Sequence, residues 1–101
     1  MDYSTHLLII AMEEAGEFIQ ACSKVYRHNG GDHEIKCLSE EVGDVQALIN
    51  LLTEKGLIDL NVANDKRIKR EHKLRGATID LPNLPLPYPR GDNNESRENC
   101  G

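Results

Sequence analysis

Two acidic boxes contain the side chains whose types and spacing are best suited to chemistry. They read EEAGE at residues 13–17 and EEVGD at residues 40–44. Glu14 and Glu17 are three positions apart, as are Glu41 and Asp44. On helices each pair projects from one face and its like charges repel each other. A hard divalent cation removes such repulsion, so the boxes predict a Mg²⁺ site, with Mn²⁺ as a substitute.

The alternative is that both boxes are solvated helix faces, which is the usual state of a single ExxE pair. Their position argues against this, because Glu14 falls within an apolar stripe, and Glu41 and Asp44 flank a second one. The stripes consist of Leu7, Ala11, Phe18, Cys22 and Val25, and of Ile35, Leu38, Val42, Val45, Ile49 and Leu52. Carboxylates at the margin of a core stripe lose hydration, which is costly unless they are paired or bind metal.

A glycine precedes the last acid of each box, at Gly16 and Gly43. A glycine inside a helix costs on the order of 1 kcal/mol relative to alanine. The two glycines therefore predict close approach by a neighbouring helix or a ligand, with chance placement as the alternative.

Three helices must position the boxes. The first begins after Ser4 or Thr5 as N-cap and ends near Arg27, with Gly30 as its C-cap. The second opens at Asp32 or His33 and stops at Gly56, and the third covers about 60–74, between Asp59 as N-cap and Gly76. A short connector makes the first two helices antiparallel, which brings the boxes level with each other.

Three helices form an incomplete bundle, which a second copy of the chain would complete. We therefore expect an all-α fold: an antiparallel helical hairpin plus a third helix, forming a four-helix-type bundle in a homodimer or homotetramer. A different protein as the partner is the alternative. Residues 1–76 make up the helical domain.

Residues 77–101 have a different composition. Four prolines between Pro82 and Pro89 rule out a regular helix there and favour an extended, polyproline-like tail. The apolar residues among them suggest that the tail lies on a surface, and a disordered tail without a role is the alternative.

Composition excludes several classes of protein. With 101 residues the chain is one domain, and its net charge of −5 without a dominant basic run argues against nucleic-acid binding. The apolar run 7–12 is too short to span a membrane, and no basic signal region precedes it. We expect a soluble, cytoplasmic protein with no membrane partner.

The cysteines and histidines give little indication of a site. Cys22, Cys37 and Cys100 are odd in number and form no CxxC pair, which predicts neither a disulfide framework nor a zinc site. Cys22 is expected to be a small buried hydrophobe. The four histidines include no HxxxH pair, so we expect each of them at the surface or at a helix cap.

Four converging carboxylates with a water-rich Mg²⁺ suit a polyphosphate substrate, with activated or carboxylate-oriented water attacking a phosphorus. The sequence indicates no side-chain nucleophile. The absence of a GxxxxGK[ST] loop excludes a P-loop enzyme, and the absence of an ExxH pair argues against a di-iron bundle. On the third helix Lys66 and Arg70 share a face. With Asn64 they could bind phosphate or base across the cleft, or form a solvated basic helix end.

The two boxes, followed by NDKRIKR at residues 64–70, resemble the MazG-like, all-α nucleoside triphosphate pyrophosphohydrolases over about residues 7–75. The resemblance implies Mg²⁺-dependent hydrolysis of a (deoxy)nucleoside triphosphate between the α and β phosphates, giving the monophosphate and pyrophosphate. The metal ligands it implies are Glu14, Glu17, Glu41 and Asp44. Glu13 and Glu40, with Glu41, would form the catalytic acids that orient water. Asn64, Lys66 and Arg70 would contact the substrate.

Two departures from the family pattern leave base selection open. Ile68 stands near the position of the usual aromatic residue, and the Pro-rich tail lies outside the pattern. Phosphoribosyl-ATP pyrophosphohydrolases are similar in their boxes and fold, and are the enzymatic alternative. A non-catalytic helical module that binds a metal or a partner is the other.

Overall fold

The structure, a computed structural model, describes residues 1–79 and residue 100. In that part of the chain there are three helices and no strand: α1 (Tyr3–Arg27), α2 (Asp32–Glu54) and α3 (Leu60–Ile79). The all-α prediction is confirmed. Among these helices none has the length and apolarity that crossing a membrane requires.

Helix α1 begins earlier than predicted. The carboxylate of Asp2 accepts a hydrogen bond from the Thr5 N–H at 2.7 Å, so Asp2 is the N-cap rather than Ser4 or Thr5. This hydrogen bond holds the pKa of Asp2 below its ordinary value. Neither Ser4 nor Thr5 is needed as a cap, because Asp2, closer to the N-terminus, already accepts a hydrogen bond from the free N–H of Thr5.

Helix α1 ends in a Schellman motif. Asn29 and Gly30 have φ values of 56° and 74°, and the Gly30 N–H donates to the Val25 carbonyl at 2.8 Å. His28 is the C-cap, so Gly30 follows the cap rather than forming it. The chain then turns back within four residues, 28–31, before α2 begins.

Two boundary predictions for α2 and α3 are confirmed and one is wrong. Gly56 has a φ of 76° directly after the C-cap Lys55, and the Asp59 carboxylate accepts from the N–H groups of Asn61 and Val62 at 3.0 and 3.2 Å. Gly76 does not end α3, which continues to Ile79. Gly76 does not have a positive φ, unlike Gly30 and Gly56. A glycine with an ordinary helical φ weakens a helix without stopping it.

Residues 77–79 are therefore helical, although the sequence placed them in the extended tail. The rest of the predicted tail, 80–99 and 101, lies outside the described residues. The division into a domain and a tail stays a prediction.

Helices α1 and α2 pack against each other as a hairpin. The apolar side chains that become buried in the described part of the chain are Leu7, Cys37 and Leu52. Phe18 and Cys22, predicted in the buried stripe of α1, are exposed. Side chains of α3 are exposed at every position from 60 to 70 and from 72 to 76. The hairpin therefore positions the site, and α3 extends from it.

Candidate metal centre

The hairpin brings one acid of the first box together with two of the second. Glu14, Glu41 and Asp44 each offer a carboxylate oxygen, and these oxygens all lie within 4.8 Å of one another. Glu41 is 9% exposed, Glu14 is half-buried and Asp44 is exposed. The cluster therefore has a buried end at Glu41 and an end at Asp44 that faces water.

Electrostatic repulsion is concentrated on Glu41. Burial and the neighbouring carboxylates together raise the pKa of Glu41 from its ordinary value of 4.5 to about 7, and burial is the largest cause. The carboxylate of Glu14 contributes by accepting a hydrogen bond from protonated Glu41 and by its charge, and the charges of Glu17 and Asp44 contribute less. Near neutral pH Glu41 is therefore partly protonated unless a cation compensates the negative charge of the cluster.

Two oxygens of the cluster fit a cation. Glu14 Oε1 and Glu41 Oε2 are buried, and no group in the described part of the chain donates a hydrogen bond to either. Buried polar atoms without partners are costly, and carboxylate oxygens are the ligands that Mg²⁺ and Mn²⁺ prefer. The residues present therefore suit a hard divalent ion.

A cavity of about 600 Å³ lies beside the cluster. Four of the predicted acids form part of its wall: Glu17, Glu40, Glu41 and Asp44. The remaining lining residues are Gln20, Ala21, Lys24, Cys37 and Cys100. Cavities of this size accommodate small-molecule ligands, and this one has a strongly acidic wall.

Lys24 supplies a positive charge to that wall and was not predicted from the sequence as a site residue. It follows Glu17 by seven residues on α1, which places both on one helix face. That spacing was the available signal, since a lysine two turns beyond a box acid points to the same side of the hairpin.

The other predicted site residues lie at the surface. Glu40 pairs with Lys36 across one helical turn at 3.6 Å, in addition to lining the cavity. Glu13 is exposed and is not among the lining residues. On α3 the predicted substrate contacts are exposed too, and none lines the cavity of the described chain: Asn64, Lys66 and Arg70. Their roles stay predictions.

Gly16 and Gly43 do not mark a close approach of helices within the chain. A Cβ added at either position would meet nothing within 4 Å among the described residues. The prediction of close packing at these glycines is wrong for the hairpin itself, because both positions face away from the α1–α2 contact.

A second cluster was not anticipated. Cys37 and Cys100 form a disulfide across 63 residues, so the prediction of no disulfide is wrong. His33 Nε2 lies 3.5 Å from the Cys37 sulfur. The proximity of His33 and Cys37 could have been predicted, since they are one helical turn apart on α2. The pairing of Cys37 with Cys100 could not, because it depends on how the chain returns to α2.

No family model, no curated protein and no solved structure matches the chain. Function must therefore be argued from the geometry and chemistry of the site.

Proposed function

We propose that the chain is a Mg²⁺-dependent nucleoside triphosphate pyrophosphohydrolase of the MazG-like type. The reaction hydrolyses the bond between the α and β phosphates of a (deoxy)nucleoside triphosphate. One observation carries this proposal: Glu41 Oε2, which is buried and has no hydrogen-bond partner among the described residues, lies in a cluster with Glu14 and Asp44, beside an open cavity.

The charge pattern of the cavity supports a polyphosphate as the substrate. An anionic ligand does not bind an acidic wall unaided, because like charges repel. When bound, Mg²⁺ neutralises phosphate charge and lowers the pKa of a coordinated water. The acids that repel a bare phosphate thus select one that arrives with its cation.

Each part of the chain then has a role. Glu14, Glu41 and Asp44 hold the cation, and Glu17 provides a further carboxylate from the cavity wall. Glu40, on the same wall, accepts a hydrogen bond from the attacking water and so orients it, as we also propose for Glu13. Lys24 binds the departing pyrophosphate, because its ammonium is the positive charge among the lining residues.

A second copy of the chain completes this site in our proposal. Apolar side chains repeat every seven residues on exposed faces of both hairpin helices: Met12, Ile19 and Tyr26 on α1, and Ile35, Val42 and Ile49 on α2. Such seams are typical of helices that pack against a further pair. The partner's α3 would bring Asn64, Lys66 and Arg70 to the substrate.

A non-catalytic helical module that binds a cation is the second candidate. The observation that favours it is the exposure of α3, which leaves the predicted substrate contacts outside the cavity of the described chain. This candidate predicts metal binding without nucleotide turnover.

Release of pyrophosphate separates the two functions. We expect Mg²⁺-dependent release from one or a few of the normal dNTPs and NTPs. Glu41→Gln should lower the rate on the order of 100-fold or more, because a lost metal ligand removes several kcal/mol of charge stabilisation. Glu54→Gln, an exposed acid at the end of the same helix, is the matched control and should keep full activity.

Two results would contradict the proposal. One is equal release by the wild type and Glu41→Gln. The other is no release from any triphosphate or from phosphoribosyl-ATP while Mg²⁺ still binds, which would establish the non-catalytic module.

A further inference from the structure

A second group of metal-binding side chains lies at the same cavity and has no part in the proposed hydrolysis. His33, Cys37 and Cys100 each offer one ligand atom, and these atoms lie within 4.8 Å of one another. Cys37 is 7% exposed, while His33 and Cys100 are half-buried. Both cysteines line the cavity.

The geometry of this group matches a tetrahedral zinc site. Zinc bonds of about 2.3 Å to sulfur and about 2.0–2.1 Å to nitrogen place the two ligand atoms about 3.6 Å apart. His33 Nε2 and the Cys37 sulfur are separated by 3.5 Å. Since both residues are on α2, one turn apart, the helix fixes this edge of the site before any metal binds.

The third ligand is held close by the disulfide. The Cα atoms of Cys37 and Cys100 are 5.0 Å apart. Two cysteines whose Cα atoms are this close can both reach one ion with their sulfurs, so this separation of the backbone suits a shared metal as well as a disulfide.

We propose that reduction of the Cys37–Cys100 disulfide creates a Zn²⁺ site whose ligands are His33 Nε2 and the two cysteine sulfurs. A dithiol reductant supplies two electrons and two protons, becomes a disulfide itself, and leaves two thiols on the protein. Zn²⁺ then displaces both thiol protons to the solvent and takes the lone pair of the neutral imidazole. A water fills the fourth position.

Ligand softness separates this site from the carboxylate cluster. Thiolate and imidazole favour Zn²⁺, whereas carboxylates favour Mg²⁺ and Mn²⁺. In the oxidised protein the sulfurs are bonded to each other and offer no thiolate. The cavity wall therefore has a hard-metal site at all times and a soft-metal site only after reduction.

Cobalt titration of the full-length protein tests this proposal. The protein is reduced with dithiothreitol, separated from it without oxygen, and titrated with Co²⁺ as a coloured stand-in for Zn²⁺. We expect thiolate-to-cobalt charge-transfer absorption and tetrahedral d–d bands that saturate at one ion per chain and disappear when Zn²⁺ is added. The oxidised protein should show neither.

Variants identify the ligands. Cys100→Ser should abolish the thiolate-to-cobalt charge-transfer band that saturates at one ion per chain. His33→Ala should weaken Co²⁺ binding by roughly tenfold or more. Cys22→Ser removes the exposed free cysteine, so it is the matched control and should bind Co²⁺ like the wild type. Glu41→Gln should keep the band, which makes this test independent of the proposed hydrolysis. Circular dichroism verifies that each variant is folded.

The proposal is overturned if reduced wild-type protein shows no thiolate band. It is also overturned if Cys100→Ser binds Co²⁺ as tightly as the wild type, or if Cys22→Ser removes the band.

Discussion

Glu41 is the residue on which burial and charge repulsion act together. Its pKa is raised to about 7 by burial first, and then by Glu14, Glu17 and Asp44. A carboxyl group in this state retains its proton when no cation is bound, and gives it up when a cation occupies the cluster. Stability and metal binding should therefore both depend on pH through this one group.

The sign of the effect on stability follows from linkage. Unfolded Glu41 releases its proton near its ordinary pKa of 4.5, whereas folded Glu41 retains it until about 7. Between these values the folded state binds more protons, so the free energy of unfolding decreases as pH rises and levels off above about pH 7. Glu41→Gln should remove this part of the pH dependence.

Urea denaturation from about pH 5 to pH 8, in the presence of a chelator, measures this pH dependence of the free energy of unfolding. Glu54→Gln is the control, since that acid is exposed. Parallel pH profiles for the wild type and Glu41→Gln would show that Glu41 has no raised pKa.

The sequence predicted the acids of the carboxylate cluster, but it did not predict the cluster of His33, Cys37 and Cys100. The three-residue spacing inside each box and the short connector together place Glu14 near Glu41 and Asp44. Cys100 comes to Cys37 from 63 residues away, and no local pattern encodes a contact over that distance. The burial of Glu34, which is 3% exposed, was not predicted either, although Glu34 precedes Glu41 by two helical turns.

Helix boundaries were predictable where a residue type has a required conformation. Helix α2 ends just before Gly56, which adopts a positive φ, and Asp59 caps α3; the stop at Gly56 and the cap at Asp59 were both expected. Gly76 failed as a signal because a glycine only permits a helix end and does not impose it. The N-cap of α1 was mispredicted because Asp2, Ser4 and Thr5 are all of a type that can cap a helix, and the sequence does not show which of them does so.

The glycines of the two boxes lower the stability of the helices that contain them. Gly16→Ala and Gly43→Ala should each stabilise the isolated chain by about 1 kcal/mol, since alanine is the better helix former and its Cβ meets nothing. Gly56→Ala should instead cost about 1–2 kcal/mol, because Gly56 has a φ of 76°. Chemical denaturation compares the three variants.

Destabilisation by Gly16→Ala or Gly43→Ala would contradict the prediction that a Cβ at these positions meets only open space. It would mean that another chain or a ligand approaches these glycines closely in solution.

For the molecule as a whole, the amount of exposed apolar surface leads us to expect association with a second copy. The hairpin buries few large side chains, while Ile19 is 68% exposed and Ile49 is 40% exposed. Small domains with so little core gain stability by association. The sequence predicted the helical architecture from periodicity, but periodicity does not distinguish a seam covered by the same chain from one covered by a second copy.

Disruption of the seam tests the assembly. Ile49→Glu should convert the dimer that we propose to monomers, because a charge in an apolar helix interface is desolvated without a partner. Ala47→Glu, exposed on another face of α2, should leave the proposed dimer intact. Sedimentation velocity distinguishes the two species, and a wild-type protein that is monomeric at every concentration would exclude the second copy.

The carboxylate cluster is tested most directly by titrating the oxidised protein with Mn²⁺ and following the free ion by electron paramagnetic resonance. We expect saturable loss of the free-Mn²⁺ signal, reversal by excess Mg²⁺, tighter binding as pH rises through about 7, and strong weakening in Glu41→Gln but not in Glu54→Gln. Coincident titration curves for the wild type and Glu41→Gln would instead show that the cluster of Glu14, Glu41 and Asp44 is not the metal site.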